Sequence, residues 1–149
     1  MAFTPVAAQD FSKGLTAYQA GDYATAIQEW TPLAEAGYAV AQYNLGIMYA
    51  NGQGVPQDYA EAVKWYRLAA DQGDAYAQNN LGAKYEYGQG VLQDNIMAHM
   101  WYNIASANGH GKAAEWRDER AGLMTAAAIE KAQAMARVCM SSGYQNCGY

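Results

Sequence analysis

A 36-residue period constrains this chain more than any other feature. From Ala41 the sequence reads AQYNLGIMYANGQGVPQDYAEAVKWYRLAADQGDAY, from Ala77 it reads AQNNLGAKYEYGQGVLQDNIMAHMWYNIASANGHGK, and seventeen of the thirty-six columns are identical. The matched pairs include Leu45/Leu81, Gly46/Gly82, Tyr49/Tyr85, Gly52/Gly88, Gly54/Gly90, Asp58/Asp94, Trp65/Trp101 and Gly73/Gly109. A looser copy lies upstream, where Asp22, Tyr23, Ala26, Leu33 and Gly37 precede Asp58, Tyr59, Ala62, Ala69 and Gly73 by the same interval. That copy lacks the GQGVPQ insertion, so its internal turn is shorter. A fourth, degenerate copy starts near Ala113. Contiguous repeats of this length bury their apolar faces on one another, and end units depart from the pattern because they cap the stack. The 149 residues therefore divide into about four units, at 9–38, 39–74, 75–110 and 111–149, within a single repeat domain.

Each unit reads as two helices. Ala62, Trp65, Tyr66 and Ala69 follow the i, i+3, i+4, i+7 spacing that places one stripe against a neighbour. Asp58 stands before that stripe and Glu61 three residues later, the pattern of a reciprocal capping box. Gly52 and Gly54 close the preceding helix by supplying left-handed backbone, and Pro56 bars its continuation. Gly46 and Gly82 fall inside the first helices, where glycine costs about 1 kcal/mol relative to alanine. Close packing explains that cost: Trp65 and Trp101 of the second helices are expected to lie against these glycines.

Composition then narrows the function classes. A net charge of −5 disfavours nucleic acid and anionic membrane surfaces as partners. No apolar run approaches the roughly 18–20 residues needed to cross a bilayer. The 13 Tyr and 4 Trp beside 2 Phe fall mostly in repeated columns, which marks them as packing residues before ligand-stacking ones.

The string LG..Y..G.GV..D...A..WY..AA..G, carried by Leu45–Gly73 and again by Leu81–Gly109, resembles the Sel-like repeat, a relative of the tetratricopeptide repeat with a longer inter-helix loop. The segment from Gly14 to Gly37 is similar to the tetratricopeptide-like opening unit of bacterial members. The resemblance implies an all-α fold: a right-handed α-solenoid of about four stacked antiparallel helix pairs whose concave surface binds proteins or peptides. It implies no enzyme and no cofactor. The fourth unit departs from the motif, with Arg117 and Asp118 where Leu-Gly stands in earlier copies, and ends the solenoid.

Ligand-contacting residues should vary between units while packing residues repeat. Leu45, Gly46, Tyr49, Trp65, Leu81, Gly82, Tyr85 and Trp101 are therefore assigned to the repeat core. If Leu45 and Tyr49 face the partner helix, then Asn44, Met48 and Asn51, with Asn80, Lys84 and Tyr87 in the next copy, face the concave side. Asn44 and Asn80 would form an amide ladder able to grip a peptide backbone through paired donors and acceptors. The alternative is a solvated helix face.

Cys139 and Cys147 are eight residues apart. A disulfide closing so small a ring restricts the unfolded chain by roughly 2–3 kcal/mol on the loop-entropy model. The spacing is similar to that of cysteine-rich secreted members of the repeat family; two unpaired thiols are the alternative. These cysteines with His99 and His110 lack paired metal-ligand spacing, so no metal site is expected. Val6, Ala7 and Ala8 before Gln9 resemble the end of a signal-peptide cleavage site, although a charged n-region and an adequate h-region are missing. Periplasmic or secreted placement is the leading expectation and a cytoplasmic protein the alternative.

No GxSxG elbow, Walker loop or HExxH helix occurs. His99 takes the column of Val63 and reads as a partly buried helix residue, and His110 as a solvated loop residue. The leading function is a non-catalytic scaffold or adaptor that binds a protein or peptide. Cysteine-rich relatives linked to penicillin binding make a cell-wall-associated enzyme or penicillin- or peptidoglycan-binding protein one rival; a cytosolic regulatory adaptor is another.

Overall fold

A computed structural model describes the backbone of residues 6–149 and the side chains of residues 11–149. Val6, Ala7 and Ala8, singled out as a cleavage-site resemblance, lie outside the residues whose side chains are described. Eight helices and no strand occur among the described residues: α1 (Val6–Gln19), α2 (Tyr23–Glu35), α3 (Ala39–Asn51), α4 (Tyr59–Ala70), α5 (Ala75–Tyr87), α6 (Asn95–Ala107), α7 (Ala113–Ala121) and α8 (Ala126–Ser141). Consecutive helices pack pairwise as α1 on α2, α3 on α4 and α5 on α6, and each pair stacks on the next through α2 on α3 and α4 on α5.

Short-range chemistry places the helix starts. Asp22 accepts from the Thr25 amide at 3.2 Å, Asp58 from Glu61 at 3.0 Å, Asp74 from Ala77 at 2.8 Å, Asp94 from Ile96 and Met97, and Thr125 from Ala128 at 3.1 Å. Each satisfies an amide that the first helical turn leaves unpaired. The capping box expected at Asp58 forms only in one direction. The Asp58 amide donates to the Tyr49 carbonyl at 2.9 Å, and the Glu61 carboxylate pairs with Lys64 at 3.1 Å instead of reaching back. Gly52 and Gly88 end α3 and α5 in left-handed conformation, at φ 65° and 63°. Gly54 and Gly90 add a second constraint: a side chain there would strike the backbone that opens the second helix of the preceding unit, at Tyr23 and Tyr59.

The glycines inside the first helices do lie beneath aromatic rings, but the expectation named the wrong ring. A Cβ built on Gly82 would stand 2.9 Å from the Tyr102 ring, and Gly46 is covered likewise by Tyr66. One residue is about 100° around a helix, so Tyr66 faces its own partner helix while Trp65 turns toward the first unit's apolar cluster. The first unit repeats the device with Trp30 over Gly14. Leu45, Leu81 and Trp101 are fully buried and Tyr85 nearly so, while Tyr49 and Trp65 are half-buried.

Buried amides pin the units together. Gln42 donates to the Ala34 carbonyl at 3.0 Å and accepts from Gln72 at 2.8 Å; one period later Gln78 donates to Ala70 at 3.0 Å and accepts from Asn108 at 2.8 Å. The fourth unit breaks the pattern. Its α7 packs on α6, and α8 also takes its main packing from α6 instead of pairing with α7. Cys139 and Cys147 are joined, with Cα atoms 4.4 Å apart.

Candidate binding face

The first helices of the units line one side of the stack. α3 contains no charged residue, and α5 contributes only Lys84 and Glu86. Two depressions open at successive unit junctions. The smaller, of about 90 Å³, is lined by Leu15, Tyr18, Trp30, Asn44 and Ile47. The larger, of about 220 Å³, is formed by Ile47, Ala50 and Asn51 from α3, Asn80, Ala83 and Lys84 from α5, and Tyr66 from α4. Trp30 and Tyr66, which cover the helix glycines on one side, thus contribute to these depressions as well.

Of the six residues expected on this face, Asn44, Asn51, Asn80 and Lys84 line the depressions. Tyr87 is 67% exposed at the end of α5 but lines neither. Met48 is a correction: it is fully buried in the cluster of Trp30, Leu33, Ala41 and Leu45. Its position three residues after Leu45 carries it back onto the first unit. The Lys84 ammonium donates to Gln89 at 2.8 Å and lies 4.5 Å from the Tyr59 ring centre, and burial lowers its pKa. Asn80 lies beside the hydroxyls of Tyr43 and Tyr66, whose pKa values burial pushes upward and Asn80 opposes.

In the fourth unit the column of Asn44 and Asn80 holds Trp116. Beside it, the Tyr102 hydroxyl donates to Glu86 at 2.5 Å and Arg120 pairs with the same carboxylate at 3.2 Å. Burial and this carboxylate both push the Tyr102 pKa upward.

A line of rings was missed by sequence reasoning. Tyr43 and Tyr76 have centroids 6.0 Å apart, Tyr76 and His110 5.2 Å, and His110 and Trp116 5.7 Å, so the line runs from α3 through α5 to α7. Tyr76 is 62% exposed. The signal was available: the matched columns hold Asn79 for Tyr43 and Lys112 for Tyr76, the variation expected of contact residues. His110 is accordingly a packed ring and not a solvated loop residue. His99 is buried in α6; burial first and Arg117 second lower its pKa, against an opposing effect of Asp118. No cluster of three or more His, Cys, Asp or Glu suited to a metal occurs among the described residues.

The Sel1 repeat model matches residues 39–74 and 75–110, the two units with the full motif. A Sel1 repeat protein from Oxalobacter formigenes is 32% identical, over 74% of this chain and 98% of that protein, with a TM-score of 0.61. This chain belongs to the Sel1-repeat family. At 28% identity, the crystal structure of a protective antigen of uropathogenic Escherichia coli strains, which displays an SLR fold, aligns over 93% of this chain with a TM-score of 0.86. The chain spans 31% of that antigen's length. No curated protein matches it. The two antiparallel pairs of α3 to α6 are thus Sel1 repeats in an α-solenoid, a fold that generally serves as a protein-interaction scaffold and is typically non-catalytic.

Proposed function

We propose that this Sel1-repeat chain is a non-catalytic scaffold that binds a protein or peptide segment along the face built by α3, α5 and α7. The carrying observation is the contrast between columns. Packing positions repeat across units, whereas much of the depression lining (Ile47/Ala83, Ala50/Glu86 and Asn51/Tyr87) and the ring line (Tyr43/Asn79 and Tyr76/Lys112) changes from copy to copy around an unchanged Asn44/Asn80 column. Tyrosine and asparagine are suited to such a face, because tyrosine offers large contact area at low entropic cost and amides adapt their hydrogen bonds. The pairing of Cys139 with Cys147 supports an oxidising compartment, and so an exported protein.

Cross-linking capture from the native source tests the face. The exposed-site variant Asn51→Arg with Tyr76→Ala should lose the partner seen with the unaltered protein, and Leu68→Ala on α4 should retain it. Equal capture by all three would overturn the assignment. Intact mass before and after alkylation of native protein tests the compartment; two alkylated thiols would overturn export.

A further inference from the structure

Residues 142–149 return from α8 across the second-helix layer, and their attachments fall into two sets. Near α8, Cys147 is joined to Cys139, the Tyr144 amide donates to the Cys139 carbonyl at 2.8 Å, and the Asn146 amide donates to the Ser142 hydroxyl at 3.0 Å. Tyr144 holds φ 66°, a left-handed conformation that a side chain disfavours and that the surrounding contacts must impose. Farther out, the Tyr149 ring stacks on Trp101 at 5.9 Å and 20°, lies 4.5 Å from the Arg67 guanidinium, and its hydroxyl donates to Asp71. Asn108 reaches the Tyr144 hydroxyl at 2.8 Å, and Gly148 is fitted against Met97 and Met135. Beneath this strap Trp101 and Cys139 have no exposure, and within it Cys147 is only 2% exposed while Tyr149 keeps 51% of its surface open.

We propose that residues 142–149 form a redox latch with two interdependent locks: the Cys139–Cys147 bond holds Tyr149 in a slot of Arg67, Asp71 and Trp101, and seated Tyr149 shields the bond. A dithiol reductant opens it by exchange. Its thiolate attacks one buried sulfur and expels the other as a thiolate, and the second thiol of the reductant resolves the mixed disulfide. Cys139 and Cys147 each gain a hydrogen, and the reductant leaves as its own disulfide. Because neither sulfur is accessible with the strap seated, attack waits on strap opening. Once the bond is broken, the outer layer presents a planar indole, a guanidinium and a carboxylate where it previously presented Tyr149.

Reduction by dithiothreitol under native conditions, followed by quenched alkylation and mass, reads the first lock. Tyr149→Ala should speed reduction at least tenfold, and Tyr149→Phe, which loses only the bond to Asp71, should fall between. Gly14→Ala, which disturbs packing against Trp30 in the separate first-unit cluster, distinguishes the latch from reduction through global unfolding. Equal rates in Tyr149→Ala and the unaltered protein, or equal acceleration by Gly14→Ala, would overturn the proposal. Amide exchange reads the second lock: Cys147→Ser should raise exchange at Tyr144 and Asn146 by about 50-fold, the effect of opening an eight-residue ring. Unchanged protection at those amides would also overturn it.

Discussion

Gly82 shows how one residue's environment reverses the sign of a local rule. On an exposed helix, replacing glycine with alanine stabilises by about 1 kcal/mol. At this position the new methyl would stand 2.9 Å from the Tyr102 ring, which is itself held by its bond to Glu86. Overpacking of a filled core costs about 1–3 kcal/mol, so Gly82→Ala should lower the urea midpoint. A midpoint raised above that of the unaltered protein would show that Tyr102 moves freely. The glycine's purpose was legible in the sequence, since a paired helix-interior cost needs a packing reason. The identity of the ring was not, because Trp101 and Tyr102 are adjacent and periodicity alone does not say which of them turns toward α5.

At the scale of elements, the junctions matter more than the helices. Gln42 and Gln78 occupy an identical column, yet nothing local marks them as buried, and glutamine is ordinarily a surface residue. The structure makes each a bridge from a first helix to the last carbonyls of the preceding second helix. Gln78→Leu would remove one donor from the Ala70 carbonyl, which keeps the Gly73 amide, and one acceptor from Asn108, which keeps the Tyr144 hydroxyl. An intramolecular hydrogen bond contributes about 0.5–1.5 kcal/mol net, so the loss of two should destabilise that variant by about 1–3 kcal/mol in chemical denaturation. A change within a few tenths would mean that water or a rearranged Asn108 replaces the pin. The half-formed capping box at Asp58 has a similar origin. The sequence supplies the acceptor at the right spacing, but the Asp58 amide is claimed by Tyr49 across the loop, a pairing that only the folded hairpin creates.

For the whole molecule, the apolar core divides into one cluster around Trp30 and Leu45 and a second extending from Tyr66 through Trp101 to Cys139. Stability in a stacked array is passed between neighbours, so damage at one end should remain graded along the stack. Deleting residues 126–149 removes Ala132, Ala136 and Cys139, which are buried at the α8 end. Amide exchange in α6 should then rise by much more than exchange in α2. Uniform loss of protection along the chain would instead indicate a single cooperative block. The fourth unit is where sequence reasoning reached least far: its motif has decayed, and its two helices share α6 as a support instead of each other.

The sequence by itself determined the period, the first three helix pairs, the Asp58 cap, the turn glycines and the family, because each follows from residues close together in the chain. Four of the six candidate face residues, Asn44, Asn51, Asn80 and Lys84, also fall where depressions open. The tertiary structure decided which way those side chains are committed. Met48 is buried against the first unit, and the rings of Tyr43, Tyr76, His110 and Trp116 meet across three units. It also decided that Tyr149 reaches Asp71 across 78 residues. Periodicity records what every unit must share in order to stack; contacts made once, between units or between the strap and the stack, leave no repeat in the sequence.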